Sequence, residues 1–376
     1  MYKAFGIVNS SSKNIWVEGL EDYRPIGAFS FLGRYRVIDF PISNLSNSDI
    51  DRIQVYVNHK PRSLVEHVGT GRHYNINSKS GKLQILFSEG RPRDDIYNTD
   101  IAAYHENLEC ILRMHHPYVV IAPNYMVYSA DFSKLIDQHV ESGADITLLY
   151  HAVDNAKDAF LSCKVLDLNK QKGVLSIGPN LGNAKNRNIF MDTYIMKKDL
   201  FVQLIEEARK TSSAFTLSDI VNEKCCEQGD NVLDVRGIPH RGYFASITDF
   251  KSYYDANMDL IDIKAANNLF DPDWPVYTRT NNSSPTHYYK TAEIKNSVIS
   301  NGCLVEGTIE NSIIGRGCII HKDAVVKNSI ILAGAEIGKG VHVENQVVDK
   351  RAKLLKVKEV ISAPEKPGYI KREDIL

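Results

Sequence analysis

The chain carries no excess of either charge: 45 Lys and Arg stand against 46 Asp and Glu in 376 residues, a formal net charge of −1. Without a basic surplus there is little to hold a long polyanion, which argues against broad nucleic-acid binding. No apolar run approaches the roughly 20 residues that span a bilayer. The N-terminus, Met1 to Asn9, gives way to a polar Ser/Lys/Asn run and does not read as a signal peptide. The six cysteines (Cys110, Cys163, Cys225, Cys226, Cys303 and Cys318) form no Cys-x-x-Cys and no paired Cys/His spacing of a zinc site. They read as free thiols in a reducing, cytoplasmic setting, with a vicinal disulfide between Cys225 and Cys226 as an alternative. What remains is ordinary: 43 % hydrophobic and 24 % charged residues suit a soluble globular protein. At roughly 150 residues per domain the length suggests about two domains.

The chain divides near Leu269–Pro285. Before that point, short apolar strands alternate with helical stretches. Lys3–Val8, Asp51–Val57, Tyr118–Ala122 and Asp145–Tyr150 read as strands; Ile101–Arg113 and Phe132–Ser142 read as helices. Fully apolar strands between helices predict a mostly parallel sheet covered on both faces. The run Asp271-Pro-Asp-Trp-Pro275 and the polar stretch Thr280–Pro285 are linker chemistry.

Beyond the linker the texture changes. Ile294-Lys-Asn-Ser-Val-Ile299 recurs as Ile309-Glu-Asn-Ser-Ile-Ile314, as Val326-Lys-Asn-Ser-Ile-Ile331 and, weakly, as Val343-Glu-Asn-Gln-Val-Val348. Asn296, Asn311, Asn328 and Asn345 are 15, 17 and 17 residues apart, and aliphatics between them fall six apart. Such short-period repetition marks a parallel β-helix. One inward aliphatic per face and an Asn at a bent corner give about four coils. Tyr288–Ala292 and the tail Pro364–Leu376 are expected to cover its two ends. Val325-Val326 and Ile330–Leu332 read as surface suited to contact with another subunit. The division is 1–268, an α/β domain; 269–290, a linker; and 291–376, the β-helix with its tail.

The long segment Gly33-Arg-Tyr-Arg-Val-Ile-Asp-Phe-Pro-Ile-Ser-Asn-Leu-Ser-Asn-Ser-Asp-Ile50 resembles a signature of the ADP-glucose pyrophosphorylases (glucose-1-phosphate adenylyltransferases). Tyr128 with Asp131, Gly242-Tyr-Phe, Tyr253–Leu260 and Asp273-Trp-Pro275 continue the likeness in order, over about residues 3–350. The resemblance implies a Rossmann-like nucleotidyltransferase domain followed by a left-handed parallel β-helix. It implies a reaction joining ATP and glucose 1-phosphate into ADP-glucose and pyrophosphate, and an allosterically controlled tetramer.

The positions that would carry this chemistry have changed. The family's glycine-rich phosphate loop becomes Asn9-Ser10-Ser11-Ser12-Lys13, with no glycine between Gly6 and Gly19. Each Cβ there opposes positive φ and close backbone approach to phosphate. The two metal-binding carboxylate positions become Tyr125 and Ser246, and neither a phenol nor a serine hydroxyl replaces a carboxylate on Mg²⁺. The phosphate-facing Lys becomes Gly178 within Ile177-Gly-Pro179, the sugar-contacting stretch becomes Phe190-Met-Asp192, and a further element becomes Thr99–Ala103. No catalytic residue and no metal ligand is therefore expected, and no cofactor for this chain; magnesium belongs to a catalytic partner.

The pattern resembles the regulatory, non-catalytic GlgD-type subunit of the bacterial enzyme. Such a subunit would pair with a homologous catalytic chain, in a heterotetramer, in glycogen biosynthesis. Arg24, Arg34 and Arg36 are the candidate contacts for sugar-phosphate or nucleotide effectors; the bland alternative is pairing with carboxylates such as Asp22 and Asp39. Two other functions stay open. One is an active transferase with an unusual metal site built on Asp100 or Asp192. The other is a stand-alone sugar-phosphate or nucleotide sensor.

Overall fold

The computed structural model describes residues 2–10, 15–77, 79–88, 97–226 and 232–376. At the centre of the first domain the strands Lys82–Phe87, Arg52–Val57, Ala4–Asn9 and Tyr118–Pro123 lie side by side and parallel. The long strand Arg187–Lys197 then enters antiparallel, pairing with both Tyr118–Pro123 and Ile146–Val153. The hairpin Lys164–Leu168 and Val174–Pro179 extends that flank.

Alternation along these strands explains the double coverage expected from their apolar composition. In the first strand Phe5 and Ile7 enter one core while Ala4 and Val8 enter the other. Val119 and Ile121 divide from Val120 and Ala122 in the same way. Helices Asp39–Asn47 and Phe132–Ser142 contribute to the first core; Asp100–Glu106, Lys198–Thr211 and Leu217–Cys226 contribute to the second. The helix expected over Ile101–Arg113 is two short helices, Asp100–Glu106 and Leu108–Leu112, joined at Asn107. Asn107 leaves helical geometry, and its side chain bonds the carbonyls of Phe87 and Ala103 instead.

The repeats fold as a three-sided parallel β-helix, three sheets of five parallel strands each, so the parallel β-helix expected from the repeats, left-handed as the resemblance implies, is the second domain. Its first strand, His287–Tyr288, lies inside the stretch read as linker. The Asn of every repeat turns a corner at positive φ, between 44° and 53°, where a short polar side chain is tolerated. The neighbouring Ser points its hydroxyl to the next coil. Ser312 N–H donates to Ser297 Oγ, Ser329 N–H to Ser312 Oγ and Gln346 N–H to Ser329 Oγ, each at 3.1 Å. The tail supplies the fifth strand of one sheet, Gly368–Ile370, and Leu376 packs against the last coil. At the other end, of the Tyr288–Ala292 segment, Ala292 packs against the β-helix core, while Tyr288, Tyr289 and, beyond the segment, Ile294 are each at least 42 % exposed.

One β-helix face is spent inside the chain. Ile313, Ile330, Leu332 and Val347 are buried in the same core as the first domain's helices. This corrects the reading of Ile330–Leu332 as a free contact surface, and Val326 lies in the β-helix interior. Gly33 marks the closeness of the two domains. It sits at φ +67°, and a Cβ there would stand 2.6 Å from Ser300 Oγ and 2.9 Å from the Ile314 carbonyl oxygen.

The long signature motif turns out to be scaffold. Asp39 accepts from Arg36 N–H, from the Tyr74 hydroxyl and from the His67 ring. Asn44 donates to the Tyr128 carbonyl and accepts from Trp274 Nε1, so the motif ties three distant segments together.

Candidate functional site

The parallel strands end at the edge where the degenerate loop begins. Asn9 closes the first strand, and its carbonyl accepts from Asn124 N–H, just past the strand Tyr118–Pro123. Ser10 is half-buried; Ser11, Ser12 and Lys13 lie outside the described residues. Tyr125 follows at once and turns its ring inward. The short strands Met126–Tyr128 and Phe244–Ser246 pair antiparallel, setting Ser246 opposite Met126. Ile247 N–H donates to the Tyr125 carbonyl at 2.8 Å. The two positions read as lost carboxylates are thus brought together, as neighbours on one small sheet.

The charges here are answered internally. The Tyr125 hydroxyl donates to one carboxylate oxygen of Asp192 at 2.9 Å, and the Tyr194 hydroxyl to the other at 3.2 Å. Burial first, and then the nearby Asp192, push the Tyr125 phenol well above its ordinary range, so it stays protonated and donating. Ser246 accepts from the Cys163 thiol, which burial pushes up to about 12. Asp100 accepts the backbone N–H groups of Ile101 and Leu217. Burial and the proximity of Asp192 raise it to about 6. Gly178 leaves open space where a lysine would reach, with nothing within 4 Å of a would-be Cβ.

This donor set does not fit a divalent metal. Asp192 has both oxygens committed to phenols, Tyr125 and Ser246 are neutral, and hard cations want several anionic oxygens. Among the described residues no group of three or more His, Cys, Asp and Glu is placed to hold one.

A second constellation lies between the domains. A cavity of about 460 Å³ is walled by Arg34 and Arg36 from the first domain and Arg279 from the linker. Arg316 and Lys350 close it from the β-helix, and no carboxylate lines it among the described residues. The charges crowd one another. Burial, then Arg36 and Arg24, pushes the Lys350 amine down to about 7. Burial and Arg34 lower the Arg316 guanidinium, whose Nε is buried without a hydrogen-bond partner. Arg36 Nη1 donates to the Ser63 carbonyl at 2.7 Å, and burial also lowers its guanidinium.

Of the three arginines singled out from the sequence, the structure brings Arg34 and Arg36 together on this wall. Arg24 stands behind it instead. Its guanidinium is buried and paired with Asp349 of the β-helix, which also accepts the Tyr369 hydroxyl at 2.7 Å. A cation so engaged is a domain tie rather than a ligand contact, and its partner is neither Asp22 nor Asp39. Sequence reasoning missed Arg279, Arg316 and Lys350, which lie hundreds of residues away. The one available signal was an arginine inside the Gly315-Arg-Gly317 turn.

Comparison with known proteins follows the two-domain division. The nucleotidyl transferase family profile matches residues 23–263, and the GlmU-like C-terminal hexapeptide profile matches residues 284–366. A glucose-1-phosphate adenylyltransferase of Fervidobacterium nodosum is 28 % identical over 329 residues, 87 % of this chain and 78 % of the relative. The glycogen biosynthesis protein GlgD of Bacillus subtilis is 27 % identical over 367 residues, 98 % of this chain and 95 % of the relative. That of Geobacillus stearothermophilus is 28 % identical over 330 residues, 86 % and 83 %.

Proposed function

The chain belongs to the nucleotidyl transferase family, and from that premise we propose that it is a regulatory subunit of a glucose-1-phosphate adenylyltransferase in glycogen biosynthesis, inactive alone. The observation that carries this reading is the Tyr125–Asp192 hydrogen bond. Where the reaction needs a carboxylate to hold the ion that answers the departing pyrophosphate, a buried phenol stands and consumes the nearest remaining carboxylate. An in-line attack on a triphosphate without that charge stabilisation loses its main source of rate.

Function then passes to binding. The cavity of Arg34, Arg36, Arg279, Arg316 and Lys350 suits a small multiply charged anion, such as a sugar phosphate or nucleotide. Its walls come from both domains, so an anion neutralises repulsion across the domain boundary and favours one domain arrangement. Transmitted to a catalytic partner, a coupling of about 1–3 kcal/mol would change affinity roughly 5- to 150-fold. The partner in this reading is a homologous catalytic chain, in a heterotetramer, and magnesium belongs to that chain.

The test mixes the purified chain with a catalytic homologue and follows pyrophosphate release. The chain alone gives no turnover, and the mixture differs from the catalytic chain in rate, substrate affinity or effector response. If none of the three changes, the reading fails. A stand-alone sensor, which the same cavity would serve, is distinguished by co-purification: it predicts a homo-oligomer without affinity for the catalytic chain.

A further inference from the structure

A third concavity, of about 820 Å³, opens at the start of the strand Arg187–Lys197, which runs between Ile146–Val153 and Lys164–Leu168. Among the described residues none of Tyr125, Gly178, Asp192 and Ser246 lines it. Its size falls within the roughly 300–1,000 Å³ of small-molecule sites. One wall is aromatic: Phe160 stacks on Phe244 with ring centroids 5.7 Å apart, and His151 lies against Phe244 at 5.1 Å. Asp154, Asn155, Asp167 and Arg187 add polar lining of mixed sign.

The histidine's hydrogen-bonding role can be worked out. His240 Nε2 lies 3.0 Å from the Ser129 carbonyl oxygen, which only accepts, so Nε2 carries the proton. His240 Nδ1 is then an acceptor, and His151 Nδ1, 3.3 Å away, must be the donor. Burial lowers both imidazoles, His240 to about 4, which keeps the pair neutral near pH 7. His151 lines the cavity, and with Nδ1 donating, Nε2 is its acceptor nitrogen. Arg187 is already engaged, with Asn183 Oδ1 at 2.8 Å and Asp167 at 3.5 Å. Among the described lining residues no other Lys or Arg is present to meet a phosphate.

We propose that this cavity binds an uncharged saccharide. The apolar C–H face of a sugar ring would lie on Phe244 and Phe160. Its hydroxyls would donate to His151 Nε2 and to Asp154, and accept from Arg187 and Asn155. A hydroxyl both donates and accepts, which is what a wall of alternating acceptors and donors requires. A phosphorylated sugar would instead meet Asp154 and Asp167. The site is separate from the proposed effector cavity and does not depend on its reading.

The experiment titrates the full chain with maltotriose, using saturation-transfer NMR and calorimetry. It compares wild type with His151→Phe, which keeps the ring and removes the acceptor, and Arg187→Ala on the rim, with thermal melting as a fold check. Specific binding by wild type, weakened by about tenfold or more in His151→Phe, supports the site; should that variant not fold, the same loss in Arg187→Ala does so. No binding by wild type at tens of millimolar overturns it, as does binding that both variants retain. Glucose 1-phosphate binding more tightly than maltotriose, with the same sensitivity to the variants, overturns the assignment to an uncharged ligand. Catalytic-partner assays are independent of these outcomes.

Discussion

Around Tyr125 and around Arg316 the same chain treats buried charge in opposite ways. At Tyr125 the two carboxylates and Ser246 have partners supplied by the fold: phenols for Asp192, a thiol for Ser246, backbone amides for Asp100. At Arg316 five cations face a common space with no carboxylate among the described lining residues. The first arrangement leaves neither carboxylate oxygen of Asp192 without a hydrogen-bond donor. In the second, burial first and neighbouring cations after it lower Lys350 and Arg316, a cost that an anion would offset in the proposed reading. A site becomes silent when the protein satisfies its own charges, and it stays responsive when the protein leaves them unanswered.

The largest expected effect lies at Arg24, the cation behind the cavity that is paired with a buried carboxylate. Asp349→Ala should cost about 3–5 kcal/mol, because it strands a buried Arg24 guanidinium. Urea denaturation measures this, and a loss under about 1 kcal/mol would mean that Arg24 is solvated like its neighbours, erasing the contrast. Next comes Tyr125→Phe, which takes one of two donors from Asp192 and should cost about 1–3 kcal/mol in the same assay. Restoring carboxylates with Tyr125→Asp and Ser246→Asp should yield no pyrophosphate release, since the loop and Gly178 remain changed; appreciable turnover would show that the metal alone was missing.

Those positions show how far the sequence reached. The chemistry at Tyr125 was legible because a phenol in place of a carboxylate, as the family resemblance implies, is a one-residue reading that needs no coordinates. That Asp192 is pinned by Tyr125 and Tyr194 was not legible, since the partners lie on different strands. The cavity was half-legible. Arg34 and Arg36 sit in the motif, but Arg316 and Lys350 reach it only because one β-helix face packs on the first domain. The same packing buried Ile330–Leu332, a run that reads as surface when the β-helix is considered alone.

Smaller effects sharpen the cavity side. Arg316→Ala should leave stability within about 0.5 kcal/mol and weaken binding of a sugar bisphosphate by roughly tenfold, the loss of a charge-assisted contact. Calorimetry reads it; unchanged affinity would place the anion elsewhere. The smallest effect is in pH. Lys350 has its folded value lowered to about 7 from an ordinary 10.5. Below pH 7 it is charged in both states and its penalty is fully present. Between about 7 and 10.5 the unfolded chain binds the extra proton, so its contribution to stability improves as pH rises. A bound anion should reverse this by holding the proton on, so that binding at pH 8 takes up protons. Calorimetry in two buffers of different ionisation enthalpy detects the uptake, and Lys350→Met should abolish it.

By itself the sequence determined the two-domain order, the β-helix with its Asn corners, and the phenol and hydroxyl that stand at Tyr125 and Ser246. Each is written in local spacing or in the identity of a single residue, and local geometry is enough to enforce it. Only the tertiary structure decided which cations share a space and which are paired away. Electrostatic interaction depends on separation and burial, and residues as distant in the chain as Arg24 and Asp349 acquire both only when the domains close on each other.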